Sequence, residues 1–351
     1  MKILVTGAAG FIGAHCALRL QRDGHEVIGL DNFNDYYDPQ LKHDRVRWVC
    51  GQVGPFQLSP IDLADAQAIE TLFARERPEV VINLAAQAGV RYSLDNPRAY
   101  LDSNLNGFLN VLESCRRHPV RHLIYASSSS VYGANQRTPY SVSDGVDHPL
   151  SLYAATKKAN ELMAHSYSHL FGIPCSGLRF FTVYGPWGRP DMSPIQFARA
   201  ITEGTPVKLF NHGAHRRDFT YIDDIIESIA RLIDQAPQAN PEWNREQPDP
   251  ASSMAPWRIF NIGGQQPVEL KTYLSLLEKH LGQTALVELL ALQPGDVLDT
   301  CADAGDLARA TGFQPRIGLD EGLGRFVAWF RDYYPLPNAQ GARGASVWRT
   351  P

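Results

Sequence analysis

Short apolar runs alternate with longer amphipathic stretches along the first half of the chain. The apolar runs predict strands at residues 3–6, 27–30, 46–49, 80–84, 122–126 and 175–180. The amphipathic stretches predict helices at residues 11–22, 65–76, 97–117 and 151–171. Strands that alternate with helices in this way form a parallel sheet with helices packed on both faces. The predicted fold class is therefore α/β, with a doubly wound parallel sheet.

The pattern becomes less regular after residue 180. Helices are predicted at residues 193–203, 222–234, 268–281 and 319–333, and strands at residues 207–210 and 259–262. Residues 235–258 carry five prolines and no sustained period, which is typical of a surface loop. We expect a first domain over residues 1–180, a smaller α/β lobe over residues 181–335 that is interleaved with it, and a flexible tail over residues 336–351.

Composition narrows the class of protein and its compartment. Hydrophobic residues make up 44% of the 351 positions and the net charge is -4, so no basic surface is indicated for nucleic acid or for a membrane. The five cysteines are scattered and form no C-x-x-C pair, which argues against a zinc site and fits a reducing compartment. No apolar run is long enough to cross a bilayer, and the first residues have the pattern of a strand and loop, not of a signal peptide. We expect a cytoplasmic protein.

A glycine-rich turn follows the first predicted strand. The run TGAAGFIG places Gly7, Gly10 and Gly13 where the first helix begins, with Phe11 and Ile12 between them. Glycines let the backbone approach a pyrophosphate, and the helix N-terminus supplies oriented N–H groups. The spacing G-x-x-G-x-x-G differs from the more familiar G-x-G-x-x-G, so a purely structural turn is the alternative.

Asp31 ends the second predicted strand, about twenty residues beyond the glycines, where an acid accepts hydrogen bonds from an adenosine ribose. A carboxylate there would repel a 2′-phosphate, so the pattern favours NAD over NADP. The alternative is that Asp31 binds no ligand and serves only to open the turn DNFND. Asp62 and Leu63 are candidates for the adenine edge, although Asp62 is equally suited to cap the next helix.

A serine turn and a tyrosine–lysine pair supply candidate chemistry. YASSSSVYG ends the fifth strand, at the edge where parallel sheets bind ligands, and YAATK opens the next helix. Tyr153 and Lys157 are one helical turn apart. A tyrosine is a weak base at neutral pH unless positive charge lowers its pKa from about 10, and we expect Lys157 and a nicotinamide ring to supply that charge. Ser128 would then stabilise charge on the substrate oxygen. The alternative is a surface helix with an exposed lysine.

These motifs together carry a resemblance to a known family. GAAGFIG, Asp31, NLAAQAGV, SSSSVYG, YAATK and RFFTVYGP occur in the order found in the extended short-chain dehydrogenase/reductases, which have a Rossmann-type NAD-binding fold. The runs AAQAGVRYSLDNP, LRFFTVYGPWGRPDM, RRDFTYIDDI and LQPGD resemble the nucleotide-sugar 4-epimerases that act on UDP-glucuronate. The resemblance spans roughly residues 1–334.

The resemblance implies a mechanism and further site residues. The family oxidises the sugar at carbon 4, rotates the 4-keto sugar and returns the hydride, so NAD is regenerated. The resemblance assigns the catalytic hydroxyl to Ser128, with Ser127 and Ser129 as alternatives. It adds cofactor contacts from Asn32, Leu84, Ala85, Ala86 and Asn104, and contacts to the sugar acid from Arg91, Ser129, Ser130 and Thr182. It also gives Arg217, or its neighbour Arg216, to the diphosphate and Asp296 to the uridine ribose.

Several of these assignments have alternatives. Asn104 could cap a helix, Arg91 could be a solvated surface residue, and the Arg216–Arg217 pair could lie in a solvated loop. Gln293–Pro294 departs from the arginine that UDP-galactose epimerases often carry at this point, which puts one diphosphate contact in doubt relative to them.

Other functions share parts of this pattern. A UDP-glucuronate decarboxylase, a 4-epimerase of UDP-glucose or UDP-GlcNAc, and an NAD(H)-binding sensor remain alternatives. A 4,6-dehydratase would need acids in the serine turn, which this chain lacks. The resemblance also implies a homodimer that pairs the helices at residues 97–117 and 151–171.

Overall fold

The computed structural model describes residues 1–291 and 299–334. Its strands in chain order are β1 (Lys2–Thr6), β2 (Glu26–Leu30), β3 (Gln57–Ser59), β4 (Val80–Asn83), β5 (His122–Ser128), β6 (Cys175–Phe180), β7 (Thr182–Tyr184), β8 (Val207–Leu209), β9 (Arg216–Tyr221), β10 (Trp257–Ile262), β11 (Pro267–Glu269) and β12 (Val287–Leu289).

Its helices in chain order are α1 (Phe11–Arg22), α2 (Pro39–Val53), α3 (Ala66–Glu76), α4 (Tyr92–Asp95), α5 (Pro97–Tyr100), α6 (Gly107–Arg117), α7 (Leu152–Phe171), α8 (Ser193–Glu203), α9 (Ile222–Leu232), α10 (Leu270–Leu281), α11 (Gly305–Thr311) and α12 (Leu319–Tyr333). A π-helical turn (Leu101–Asn106) joins α5 to α6, and a 3-10 turn (Ser129–Tyr132) follows β5. Within residues 1–291 and 299–334, every helix is too short or too polar to span a bilayer.

Seven parallel strands form the central sheet, in the order β10-β6-β5-β4-β1-β2-β3. Alternate residues of β1 face opposite layers: Ile3 packs in the same core as Cys16 of α1 and Ile229 of α9, and Leu4 packs with Ile69 of α3 and Val111 of α6. Helices therefore cover both faces, which confirms the predicted fold class. The strand order reverses between β1 and β4, and ligands of such sheets bind at that switch point.

The second half of the chain contributes to this sheet and builds smaller ones. β10 pairs with β6 over six registered positions and completes one edge of the central sheet. β11, β9 and β7 form a three-stranded sheet, and β12 pairs with β8. β7 begins at Thr182, one residue after β6 ends, so the three-stranded sheet starts at the carboxyl end of a central strand.

One predicted strand is wrong. Residues 46–49 lie inside α2, where Leu41, Arg45 and Val49 are buried at intervals of four residues. The Asp38 carboxylate caps this helix by accepting a hydrogen bond from the Gln40 amide, and Pro39 occupies the first turn. The short apolar run is thus one face of a helix, and the third strand is β3 instead.

The predicted helix at residues 97–117 is interrupted. It consists of α5, the π-helical turn and α6. Asn104, inside the π-helical turn, donates hydrogen bonds from Nδ2 to the Gln87 carbonyl and to Thr156 Oγ1, and its Oδ1 accepts from the Gln87 amide. Asn104 is therefore not a helix cap; it joins the loop after β4 to α7.

Candidate active site

A cavity opens at the carboxyl ends of β1, β2, β4, β5 and β6. Its wall brings together most of the residues predicted from the sequence. These are Gly7, Gly10, Phe11, Ile12, Gly13, Asp31, Asn32, Asp62, Leu63, Leu84, Ala85, Ala86, Ser128, Ser129, Ser130, Tyr153, Lys157 and Thr182.

The glycine-rich turn has the shape needed to hold a dinucleotide. Gly7 has φ +70°, and a Cβ on it would lie 2.9 Å from the Ala85 amide nitrogen. A Cβ on Gly13 would lie 2.0 Å from the Gly7 carbonyl oxygen. α1 begins at Phe11 without a side-chain cap, so the amides of its first turn are oriented for an anion. These residues fit the pyrophosphate of NAD.

Asp31 stabilises the glycine-rich turn and also reaches the cavity. Its Oδ2 accepts a hydrogen bond from the Ala9 amide at 3.1 Å, and its Oδ1 accepts from the Phe33 amide at 2.9 Å. The Lys42 ammonium lies 3.8 Å from Oδ1. Burial lowers the pKa of Lys42 and outweighs the opposing charge of Asp31. Asp31 therefore opens the turn after β2 and also lies on the cavity wall, so the two predicted roles do not exclude each other.

Asp62 faces Asn32 across the same end of the cavity. Asp62 Oδ2 accepts a hydrogen bond from Asn32 Nδ2 at 2.8 Å, and its Oδ1 accepts from the Ala64 amide at 2.9 Å. The cap of α3 is Asp65, which accepts from the Ala68 amide. The helix-cap alternative for Asp62 is therefore wrong.

Tyr153 lies in the first turn of α7, at the cavity wall. Ser151 caps this helix by accepting a hydrogen bond from the Ala154 amide, which fixes where the helix begins. Burial raises the pKa of Tyr153, while a hydrogen bond with Ser128 and the positive charge of Arg189 lower it. Ser128 and Tyr153 thus line the same cavity, at the end of β5.

Lys157 follows one turn later and is buried. Its Nζ donates a hydrogen bond to the Ala126 carbonyl of β5 at 3.0 Å, and burial lowers its pKa to about 8. We expected Lys157 to supply the positive charge at the phenol. Arg189 is a further cation, and its charge lowers the pKa of Tyr153.

The hydrogen bonds of the serine turn distinguish its members. Ser127 Oγ donates to Glu161 Oε1 at 2.7 Å in the protein interior. Ser128 Oγ instead lies 3.1 Å from Ser130 Oγ and accepts from the Ser130 amide. Ser127 is therefore committed to a structural carboxylate, whereas Ser128 is placed beside Tyr153.

Arg189 and Asp191 line or adjoin the cavity and were not singled out from the sequence. Arg189 Nε and Nη2 donate to the two carboxylate oxygens of Asp191 at 3.0 and 2.6 Å. Tyr36 donates from its hydroxyl to Asp191 at 3.2 Å. The two opposite charges in the run GRPDM, which lies between β7 and α8, are the sequence signal that could have pointed to these residues.

Three of the predicted residues that the structure describes are not part of the cavity wall. Arg91 is exposed and its guanidinium lies 4.9 Å from the centre of the Phe210 ring. Asn104 is buried behind the wall. Arg217 lies on β9, with Nη1 donating to the Arg216 carbonyl. Asp296, like the Gln293–Pro294 departure, lies outside the described residues.

Sequence comparison finds similar proteins over nearly the whole chain. Protein CapI of Staphylococcus aureus is 52% identical over 334 residues, which are 95% of this chain and 99% of that protein. A probable UDP-glucuronate 4-epimerase of Rhizobium meliloti (strain 1021) is 47% identical over 338 residues, which are 95% of this chain and 98% of that protein.

Structural comparison agrees with these similarities. The crystal structure of UDP-glucuronic acid 4-epimerase from Bacillus cereus, in complex with UDP-glucuronic acid and NAD, matches with a TM-score of 0.81 at 31% identity. The match covers 95% of this chain and 100% of that one. The NAD dependent epimerase/dehydratase family itself matches residues 3–244. With the glycine-rich turn, the serine turn and the tyrosine–lysine pair on one cavity, the chain belongs to the NAD dependent epimerase/dehydratase family.

Proposed function

We propose that this protein is a UDP-glucuronate 4-epimerase that interconverts UDP-glucuronate and UDP-galacturonate with NAD. The observation that carries the proposal is that Ser128, Tyr153 and Lys157 line one cavity together with a turn shaped for a dinucleotide. The similarity to proteins named for this activity supports the choice of substrate.

The proton transfer is assigned to this chain's own residues. Tyr153 takes the proton from the hydroxyl at carbon 4 of the sugar and later returns it. Ser128 donates a hydrogen bond to the same oxygen as charge develops. When bound, NAD supplies the hydride acceptor and then the hydride donor. Lys157, held by the Ala126 carbonyl, orients the cofactor ribose next to Tyr153.

The glucuronate carboxylate needs its own restraint. The 4-keto form of this sugar is a β-keto acid, which loses carbon dioxide when the carboxylate bond aligns with the carbonyl π system. Ser129, Ser130 and Thr182 line the cavity close to Ser128 and are assigned to hold the carboxylate out of that alignment. Arg189 is a better placed cation than Arg91, because it lines the cavity that also holds Tyr153, whereas Arg91 is exposed beside Phe210.

The nucleotide end is assigned to residues farther from the catalytic serine. Arg217 is proposed to contact the diphosphate and Asp296 the uridine ribose. Asp218, adjacent to Arg217, accepts hydrogen bonds from the Gly264, Gln265 and Ala302 amides. This buried carboxylate fixes β9, and therefore the backbone that carries Arg217.

The protein is proposed to be a homodimer. Leu101, Leu109, Leu162, Leu170 and Phe171 are exposed on the π-helical turn, α6 and α7, with exposed fractions from 39% to 68%. A second copy of the same face would bury them. Light scattering at micromolar concentration is expected to give twice the mass of one chain.

The test is incubation with UDP-glucuronate without added NAD, followed by chromatographic separation of the sugar nucleotides. UDP-galacturonate is the expected product, and Tyr153→Phe protein is the control that should make none. UDP-xylose as the product would identify a decarboxylase instead. Turnover of UDP-glucose but not of UDP-glucuronate would identify a neutral-sugar epimerase. Bound NAD without turnover of any UDP-sugar would indicate a sensor.

A further inference from the structure

Arg45 of α2 is fully buried, although arginine is a cationic side chain that proteins rarely bury. Its Nε donates to the Trp187 carbonyl at 2.9 Å and its Nη2 to the Gly188 carbonyl at 3.0 Å. Its Nη1 donates to the Ala9 carbonyl at 3.2 Å and to the Tyr37 hydroxyl at 2.7 Å. Within the described chain these bonds all go to neutral oxygens and none to a carboxylate.

The Ala9 end of this network belongs to the glycine-rich turn. The carbonyl of Ala9 accepts from Arg45, while its amide donates to Asp31. The backbone amide and carbonyl of Ala9, in the glycine-rich turn, are therefore both bonded by the segment that runs from the end of β2 into α2.

The other end belongs to the loop that carries Arg189. Trp187 has φ +63°, a left-handed conformation that a non-glycine residue keeps only where its surroundings hold it. Arg45 bonds the carbonyls of Trp187 and Gly188, which directly precede Arg189. The Trp187 ring packs on Trp48 of α2 and on Trp329 and Tyr333 of α12.

We propose that Arg45 is a positioning residue that couples the glycine-rich turn to the loop that carries Arg189. By binding both loops with one rigid planar group, it sets where Arg189 stands relative to the cofactor. The inference rests on the proposed function, because Arg189 is assigned there to the sugar acid. A purely structural role, in which Arg45 only fills the core, is the competing explanation.

The two explanations predict different kinetics. Loss of core packing lowers the fraction of folded enzyme, which reduces kcat and leaves KM unchanged. Loss of the coupling moves Arg189 in every molecule, so KM for the nucleotide sugar rises. A misplacement of about 1 Å costs about 100-fold in rate, so we expect Arg45→Met to lose up to about that much in kcat/KM, and its KM for the nucleotide sugar to rise above that of the parent.

The closing experiment is a double-mutant cycle between Arg45→Met and Arg189→Gln, with kcat, KM and bound NAD measured for each protein. Arg47→Met is the matched control, since Arg47 lies on the same helix with 68% of its side chain exposed. We expect the double variant to lose little beyond the worse single variant. Losses in kcat/KM that multiply, or an unchanged KM in Arg45→Met, would overturn the coupling.

Two provisions keep the outcome decisive. If Arg45→Met does not fold, Arg45→Lys enters the same cycle, because an ammonium has three donors instead of five and lacks the planar group that spans both loops. If the parent enzyme turns over another nucleotide sugar, the proposed substrate fails and the cycle is run on that sugar. If it turns over none, bound NAD is the readout: a fall in Arg45→Met but not in Arg47→Met supports the coupling, and equal NAD content refutes it.

Discussion

Glu161 of α7 and Arg179 of β6 form a two-pronged ion pair, with distances of 2.8 and 2.9 Å, directly behind the serine turn. Both side chains are 1% exposed. Glu161 also accepts a hydrogen bond from Ser127, and Arg179 donates to the Tyr132 hydroxyl. One buried pair thus anchors the turn at both of its ends.

Breaking this pair should destabilise the protein. Removing one partner of a buried ion pair leaves the other charge uncompensated and costs about 3–5 kcal/mol. We expect Glu161→Gln to lower the free energy of unfolding by that amount in urea titrations. Glu321→Gln is the control, because it removes an exposed pair with Arg325 and should cost less than about 1 kcal/mol. Equal effects would mean that Arg179 finds another counter-charge.

The two adjacent serines should respond in opposite ways to replacement by alanine. Ser128→Ala removes a donor at the reacting oxygen, and we expect kcat to fall about 100- to 1,000-fold with little change in melting temperature. Ser127→Ala leaves Glu161 with one donor fewer. The melting temperature should therefore fall, while kcat should change little. A larger loss of kcat in Ser127→Ala would reassign the catalytic hydroxyl.

The pH dependence of kcat/KM should report Tyr153 and Lys157. Burial raises the pKa of Tyr153 and lowers that of Lys157 to about 8, so activity that needs the phenolate together with the ammonium should rise near pH 8 and fall again at higher pH. Lys157→Met removes a positive charge from the site, so the acid limb should shift to higher pH and the alkaline limb should disappear. An unchanged profile would separate Lys157 from the chemistry.

Gly13→Ala should abolish retention of NAD. The new Cβ would lie 2.0 Å from the Gly7 carbonyl oxygen, inside the dinucleotide turn. Bound NAD can be measured after heat release from purified protein. Gly51→Ala is the control, because a Cβ there meets no atom within 4 Å and alanine favours the helix by about 1 kcal/mol. Retained NAD in Gly13→Ala would show that the turn can move.

The parts of the fold that depend on local pattern were predictable. β1, the glycine-rich turn and α1 follow from one continuous run, and the spacing of Tyr153 and Lys157 is fixed by the helix that carries them. Residues 46–49 show the limit of such reasoning, because a four-residue apolar run suits a strand or a helix face equally well.

The parts that depend on contacts between distant residues were not predictable. Arg45 and Trp187 are 142 positions apart, and no periodicity links them. Arg189 lies in a run that resembles the family, yet its place on the same cavity wall as Tyr153 is arranged only by folding. Asn104 resembled a cap in the sequence, whereas its three hydrogen bonds to Gln87 and Thr156 exist only across elements.

The position of β10 has a consequence for synthesis of the protein. This strand covers β6, yet it lies far downstream in the chain. Until residues 257–262 leave the ribosome, β6 is an edge strand whose backbone N–H and C=O groups are unpaired on one side, and another strand could pair with them. A fragment cut after residue 180 would keep that edge permanently, so shortening the chain there should yield aggregates instead of a cofactor-binding module.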